Sequence, residues 1–295
     1  MRYAKPALTF EQQIDLLQGR GLAVPNRQRA LHWLGHISYY RLSAYLLPFK
    51  EGDAFRPGTT FDSVAGLYIF DRKLRLILLD AIERVEVALR TCLTYELSHA
   101  HGVFGHTDPR NFEPRFRHDR FMEQLAKAEA DSKETFVSHY RRKYTSERHL
   151  PVWMATELLS LGQLSRLYEA SRPNVKRAFA RDLNVGDRVV ASWLHTLSYV
   201  RNVCAHHSRL WNRELSIKPV LPRLTPAWPY RVPSNERLYC VLVILRHTLM
   251  RISPRCLWHE RLLAPFDGHP EVSLDAMHIP ADWRTAPLWS EAPRA

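Results

Sequence analysis

Apolar residues recur at steps of three and four along most of the chain, the spacing that turns one face of an α-helix inward. The strongest case runs from Phe61 to about Leu97, where Leu67, Phe70, Leu74, Ile77, Leu78, Ala81, Ile82, Val85 and Leu89 form a broad stripe for burial, with Thr60 or Asp62 as its start. Upstream, Thr9 with Gln12 makes a capping box ahead of Phe10, Ile14 and Leu17, and Gly19 and Gly21 end that helix. Asn26 caps a second helix carrying Leu31, Leu34 and Ile37, followed by the aromatic segment ISYYRLSAYLLPF with Tyr39, Tyr40 and Tyr45 close to Arg41. Residues 51–60 read as a plain loop.

Downstream, the pattern predicts a basic helix from about Arg115 to Tyr144 and an amphipathic one from Leu150 to Tyr168. The second has Pro151 in its first turn, Trp153, Leu158, Leu161, Leu164 and Leu167 facing inward, and Glu157 as the polar exception. After the basic stretch RPNVKRAFARDL, Asn184 or Asp187 starts a helix with Val190, Leu194, Leu197 and Val200 on one face. Pro219, Pro222, Pro226, Pro229 and Pro233 punctuate an irregular connection, and a further helix runs from Asn235 to about Arg251 with Leu238, Val241, Leu242 and Leu245 inward. The Pro- and Trp-rich remainder reads as a wrapping arm. No internal repeat and no strand alternation is evident, so the expected class is all-α. The expected division is an N-terminal helical lobe (1–58), a helical bundle domain (59–252) and an irregular C-terminal extension (253–295).

Composition adds one feature to this picture. An apolar content of 45% and 24% charged residues in 295 are ordinary for a globular protein, but 42 Lys+Arg against 30 Asp+Glu leave a net charge of +12. Arginine makes up most of the excess, and its planar fork suits phosphate, so a nucleic-acid partner is favoured over an inert basic surface. Cys92, Cys204, Cys240 and Cys256 are scattered and form no CxxC pair, which fits a reducing compartment and argues against a disulfide framework or a four-cysteine zinc site. The N-terminal MRYAKPALTFEQQ has no apolar run behind its basic residues, and no window approaches a membrane span. The expected location is cytoplasmic, with no membrane partner.

The candidate chemistry concentrates in SWLHTLSYVRNVCAHHSRLWNR, residues 192–213, where an amphipathic helix runs into Arg201, Asn202, His206 and His207. RNA carries its own nucleophile, the 2′-hydroxyl. A catalyst has to move two protons and stabilise the extra charge on phosphorus. Histidine suits the proton steps, and arginine suits the charge because it has no proton equilibrium near neutrality. No cofactor is needed for that chemistry. Five residues of ideal helix is a rotation of ~140°, so Arg201 and His206 share a site only if the helix ends or distorts near Ala205, or if a second subunit completes it. A symmetric dimer with two copies of the segment facing one cleft is favoured. His207 is also in register and competes with His206 for the role of base.

Other candidates support this centre or have blander readings. Glu83, Glu86 and Arg90 share a helix face, as a solvated ion-pair ladder or as a glutamate that pairs with Arg201 or a catalytic histidine; Glu157 is a further supporting carboxylate. Phosphate contacts are expected from Arg90, Arg141, Arg142, Lys143, Lys176, Arg177, Arg209 and Arg213. HWLGH, with His32 and His36, has Trp33 where a zinc protease needs its glutamate and reads as structural. His99, His101 and His106 lie in a loop with no carboxylate or cysteine at a helpful spacing, so no metal site is expected. The first two helices around a glycine turn invite a helix-turn-helix reading, but a small lobe packed on the rest is better supported.

The runs RNVCAHHSRLWNR, LPVWMATELLSLGQLSRLY, FDRKLRLILLDAIERVEVALR and ISYYRLSAYLLPF occur in an order that resembles the Abi proteins of bacterial abortive infection, AbiD/AbiF-like, over roughly residues 9–222. That family belongs to the HEPN superfamily, whose signature is an arginine, four to six residues and a histidine, often with a polar residue after the arginine. Arg201, Asn202 and His206 match it as Arg-x4-His. The resemblance implies a HEPN-like helical bundle, a homodimer across the motif, metal-independent RNA cleavage, and a toxin of antiphage defence. It also implies a structured non-coding RNA that restrains or guides the nuclease. Two other functions remain open: a non-catalytic RNA- or DNA-binding regulator, and a helical interaction protein in which Arg201 and His206 only satisfy a helix end.

Overall fold

The structure is a computed structural model that describes residue 2 and residues 6–290; the N-terminal segment read for a leader lies partly outside them. Thirteen α-helices and one two-stranded hairpin are present among the described residues, so the all-α expectation holds. The chain forms two compact units, one built from the residues up to Arg75 with Leu262–Val272, the other from Leu76–Arg261 with the residues after Val272.

In the first unit, α1 (Phe10–Gly19) opens with the Thr9/Gln12 capping box, and α2 (Arg27–His36) is capped by the Asn26 side chain. Ile14, Leu17, Ala30 and Leu34 are their buried positions. Gly21 has φ +91° in the turn between them, a conformation glycine takes without cost. α3 (Tyr39–Leu46) buries Leu42, Tyr45 and Leu46. Residues 51–60 are not wholly loop: β1 (Lys50–Glu51) pairs antiparallel with β2 (Ala54–Phe55). A two-residue strand carries too few side chains to leave an alternation in the sequence. α4 (Phe61–His101) begins beside Thr60, whose Oγ1 accepts from the Ser63 amide at 3.1 Å. Within its first turns Asp71 and Arg75, both buried, form an ion pair, and the Tyr45 hydroxyl donates to the same Asp71 oxygen at 2.5 Å.

In the second unit, the continuation of α4 buries Leu78, Ala81, Ile82, Val85, Leu89, Leu93 and Leu97. The single helix expected over 115–144 is two, α5 (His118–Asp131) and α6 (Thr135–Lys143), separated at Ser132, whose Oγ accepts from the Glu134 amide. The helix expected over 150–168 is also divided. α7 (Val152–Ala155) tightens into a 3-10 turn over Thr156–Leu158, and α8 (Leu161–Ala170) restarts with its own capping box, Ser160 and Gln163. The division rotates Trp153 outward, so that it is 43% exposed instead of part of the core.

α9 (Pro173–Asp182) and α10 (Asp187–Ala205) follow, and α10 packs on both α8 and α9. A Cβ on Gly162 would come within 3.0 Å of Ser198 Oγ, so glycine permits the close crossing of α8 and α10. The Pro-rich segment is tied back to α10: Trp193 Nε1 donates to the Val220 carbonyl and the Val220 amide to Ser192 Oγ, each at 2.8 Å. α11 (Leu238–Ile252) is buried from Leu238 through Leu249, and α12 (Trp258–Asp267) and α13 (Pro287–Ser290) complete the helices. The C-terminal residues are more than an arm, since Trp283, Leu288 and Trp289 are buried in this unit's core.

Candidate active site

α10 turns Val190, Trp193, Leu194, Leu197, Val200 and Val203 into the core, which leaves Tyr199, Asn202 and His206 one and two turns apart on a partly exposed face. α10 ends at Ala205, between Arg201 and His206. His206 is the C-cap, the His207 amide donates to the Cys204 carbonyl, and the Ser208 amide donates to the Val203 carbonyl, both at 3.0 Å. This pair of bonds is a Schellman turn, whose C′ residue must be left-handed; His207 fills it with φ +56°.

Arg201 is half-buried, and its Nη1 donates to Asn202 Oδ1 at 3.4 Å, its one side-chain hydrogen bond among the described residues. The His206 amide donates to the Asn202 carbonyl at 2.9 Å, while the His206 ring is exposed and makes no hydrogen bond among the described residues. Asn202 therefore links the two: its side chain holds the guanidinium, and its backbone lies one turn below the imidazole. Asn202 and His207 are exposed as well. Arg201 is not walled into the core, and it has no carboxylate partner among the described residues.

Two of the three supporting carboxylates, Glu86 and Glu157, are bound by Arg90. Arg90 Nη2 bonds Glu86 Oε1 at 2.9 Å and the Leu159 carbonyl at 2.9 Å, and Nη1 bonds Glu157 Oε2 at 3.3 Å. Glu86 thus pairs with Arg90, as in the ladder reading, but the pair is mostly buried instead of solvated. Glu83 is exposed beside Arg84 and Val87.

Tyr199 was not among the candidates and sits on the same face as Asn202 and His206. Arg213 Nη1 and Ser216 Oγ donate to its hydroxyl at 3.5 and 3.4 Å. Burial pushes the phenol up, but these donors outweigh it and hold Tyr199 below the usual tyrosine range. The steps of three and four from 199 to 202 to 206 were the signal that could have found it. Arg213 also donates Nε to the Arg209 carbonyl at 2.6 Å, which folds the half-buried Arg209–Arg213 stretch back beside the end of α10.

The remaining basic candidates fall into two groups. Arg141 pairs with Glu129 and donates to the carbonyls of Glu147 and Arg148, and Lys176 Nζ bonds the Glu169 carbonyl at 3.2 Å beside Glu113. Arg142 and Arg177 are exposed with no side-chain partner among the described residues, and Lys143 lies over the Tyr144 ring at 5.4 Å. The histidines first weighed as ligands are dispersed. His36 Nδ1 contacts the His32 carbonyl, His99 stacks on Tyr95 at 4.0 Å, and His106 is buried. Among the described residues no cluster of three or more His, Cys, Asp or Glu could hold a metal ion, and no helix is long and apolar enough to cross a membrane.

No curated protein and no solved structure matches the chain. The family model described as Abi-like protein matches residues 32–212, which include α4, α8, α10 and the whole Arg201–His207 segment. The chain belongs to the Abi-like protein family and is an abortive-infection-type protein.

Proposed function

We propose that the chain is a HEPN-type endoribonuclease of antiphage abortive infection, cutting RNA at Arg201 and His206 without a divalent ion. The observation that carries this reading is the strip Arg201–Asn202–His206: a guanidinium and an exposed imidazole, each without an ionic partner among the described residues, joined through one asparagine at the end of a packed helix. In an inert helix end, the arginine would be expected to cap carbonyls and the histidine to answer the dipole; here neither side chain does so.

The chemistry runs as an internal transesterification. The 2′-oxygen forms a bond to phosphorus as its proton passes to a neutral imidazole, and the bond from phosphorus to the 5′-oxygen breaks as that oxygen takes a proton from an imidazolium. The products are a cyclic phosphate and a free 5′-hydroxyl. Arg201 grips the non-bridging oxygens as their charge grows, a donor role whose loss costs roughly two to three decades in rate. Two imidazoles in opposite protonation states serve the two transfers best, and a symmetric homodimer supplies them from two copies of His206. Asn202 and the Arg213–Tyr199 pair orient the strand beside them. A structured non-coding RNA is the partner that restrains or guides the enzyme.

The test is incubation of the purified chain with RNA in excess EDTA, reading new ends. Cleavage is expected from the natural chain and its loss in Arg201→Ala and in His206→Ala, each with unchanged circular dichroism. An active double variant overturns the assignment. Steeply salt-dependent binding without new ends assigns the chain to the non-catalytic regulators instead.

A further inference from the structure

Away from α10's end, the second unit holds an open pocket of about 680 Å³, within the range of ~300–1,000 Å³ usual for small-molecule sites. One wall is α8, with Gln163, Arg166 and Glu169 at steps of three; another is the start of α5, with Arg120, Phe121 and Gln124. The loop between α4 and α5 closes it. That loop is fixed in place: the Glu113 amide donates to the Ala170 carbonyl at 2.8 Å, and Phe112 bridges to Ser171.

The floor is aromatic. Phe116 is half-buried, with its ring 5.3 Å from buried Phe112 and 5.6 Å from buried Phe121, so a rigid cluster holds a phenyl group at the pocket surface. Around it stand Arg115, Arg117, Arg120 and Arg166. Arg117 has Asp119 at 3.4 Å, but the guanidinium groups of Arg115, Arg120 and Arg166 make no ion pair or hydrogen bond among the described residues. Like charges gathered at one cavity repel, and an anion between them removes that cost. Of the two acids lining the pocket, Glu113 faces Lys176 Nζ at 3.7 Å, whereas the Glu169 carboxylate has no cation partner among the described residues.

A flat ring surface, three unpaired guanidinium groups and one free carboxylate match the three parts of a nucleotide: base, phosphate and ribose hydroxyls. We propose that this pocket binds a single nucleotide, with the base on Phe116, the phosphate among Arg115, Arg120 and Arg166, and a ribose hydroxyl on Glu169. The unit comes either as a free mononucleotide or as the phosphorylated end of an RNA strand. The proposal does not depend on cleavage at Arg201 and His206.

Calorimetric titration of the full chain with adenosine monophosphate, adenosine and inorganic phosphate tests the free form. Titration with a short RNA, with and without a 5′-phosphate, tests the strand end; the Arg201→Ala/His206→Ala chain is used so that the probe stays whole. Saturable binding of the monophosphate or of the phosphorylated RNA is expected, whichever source is the true one, with adenosine and unphosphorylated RNA weaker. The exposed double variant Arg120→Ala/Arg166→Ala should weaken it by roughly tenfold or more, and Phe116→Leu by about tenfold. Binding of neither probe overturns the proposal, as does equal affinity in the variants or inorganic phosphate competing as well as the nucleotide. Because the strand arm is read on the cleavage-dead chain, its failure leaves the nuclease reading intact, and the reverse also holds.

Discussion

The Ser208 amide donates to the Val203 carbonyl at 3.0 Å, and this bond closes the turn that stops α10 one residue before His206's ring leaves the helix. The turn holds His207 at φ +56°, a region L side chains rarely adopt. Replacement by glycine relieves that strain, so His207→Gly is expected to gain ~0.5–1 kcal/mol in denaturant unfolding, while the β-branched His207→Val loses stability. RNA cleavage should survive His207→Gly and vanish in His206→Ala. Abolition of cleavage by His207→Gly in a well-folded protein would move the base assignment one residue along.

Two arginines, Arg90 on α4 and Arg201 on α10, should respond oppositely to alanine. Arg90 is mostly buried and serves Glu86, Glu157 and the Leu159 carbonyl at once. Its removal leaves a half-buried carboxylate and a carbonyl without their donor, so Arg90→Ala is expected to cost about 2–4 kcal/mol and to lower Tm. Arg201 has a single long side-chain bond among the described residues, to Asn202. Arg201→Ala should leave Tm within a degree or two and remove activity. The opposite pattern, with Arg201→Ala melting early, identifies the motif as a structural network.

Acid should unfold the second unit through two buried histidines. His247 donates Nε2–H to the Leu183 carbonyl at 2.8 Å and accepts at Nδ1 from Arg251 at 3.3 Å. Burial, with Arg251 adding to it, lowers its pKa to about 4. Burial beside His149 and His118 lowers His106 to about 4 as well. The unfolded chain, titrating near ~6.5, binds more protons than the folded one between these values. Stability is therefore flat above ~6.5, falls as pH drops toward ~4, and loses up to about 3 kcal/mol per ring. Melts from pH 7 to pH 4 measure this. Neither ring nitrogen of His106 has a partner among the described residues, so His106→Leu should flatten the slope without loss at pH 7. His247→Phe, which strands a carbonyl, should flatten it at a cost of ~1–3 kcal/mol.

What could be read from the sequence was local. Thr9 and Asn26 cap the helices they were expected to cap, and Thr60, one of the two starts read for α4, accepts from the Ser63 amide, because a cap involves residues only three positions apart. The α4 stripe is buried because its period persists over many turns. The breaks at Ser132 and Ser160 were hidden by apolar steps that continue across them in near-helical register; Ser160 and Gln163 spelled a capping box that the earlier Pro151 start obscured. An end of α10 near Ala205 was one of two arrangements that the Arg201–His206 spacing allowed, the other being completion by a second subunit, but its form was hidden, since a Schellman turn normally announces itself by glycine and here has His207. The partner of Arg90 was out of reach for another reason: Glu157 is 67 residues away, and no local rule links them.

The same division among basic residues governs how the chain should hold RNA. A cation already bound to carboxylates and carbonyls cannot release a counterion from the nucleic acid, whereas a free one can. Arg141 is occupied by Glu129 and by the Glu147 and Arg148 carbonyls, while Arg142, next to it, is exposed and unpaired among the described residues, as is Arg177. For single-stranded RNA each neutralised phosphate contributes ~0.7 to the slope of log affinity against log salt. Arg142→Ala and Arg177→Ala should each lower that slope by about this amount with Tm unchanged. Arg141→Ala should lower Tm, by loosening the Glu147–Arg148 loop, and change affinity only through the fold. Salt titrations of the three variants by fluorescence anisotropy decide it. A slope indifferent to both Arg142 and Arg177 places the RNA path on another face of the molecule.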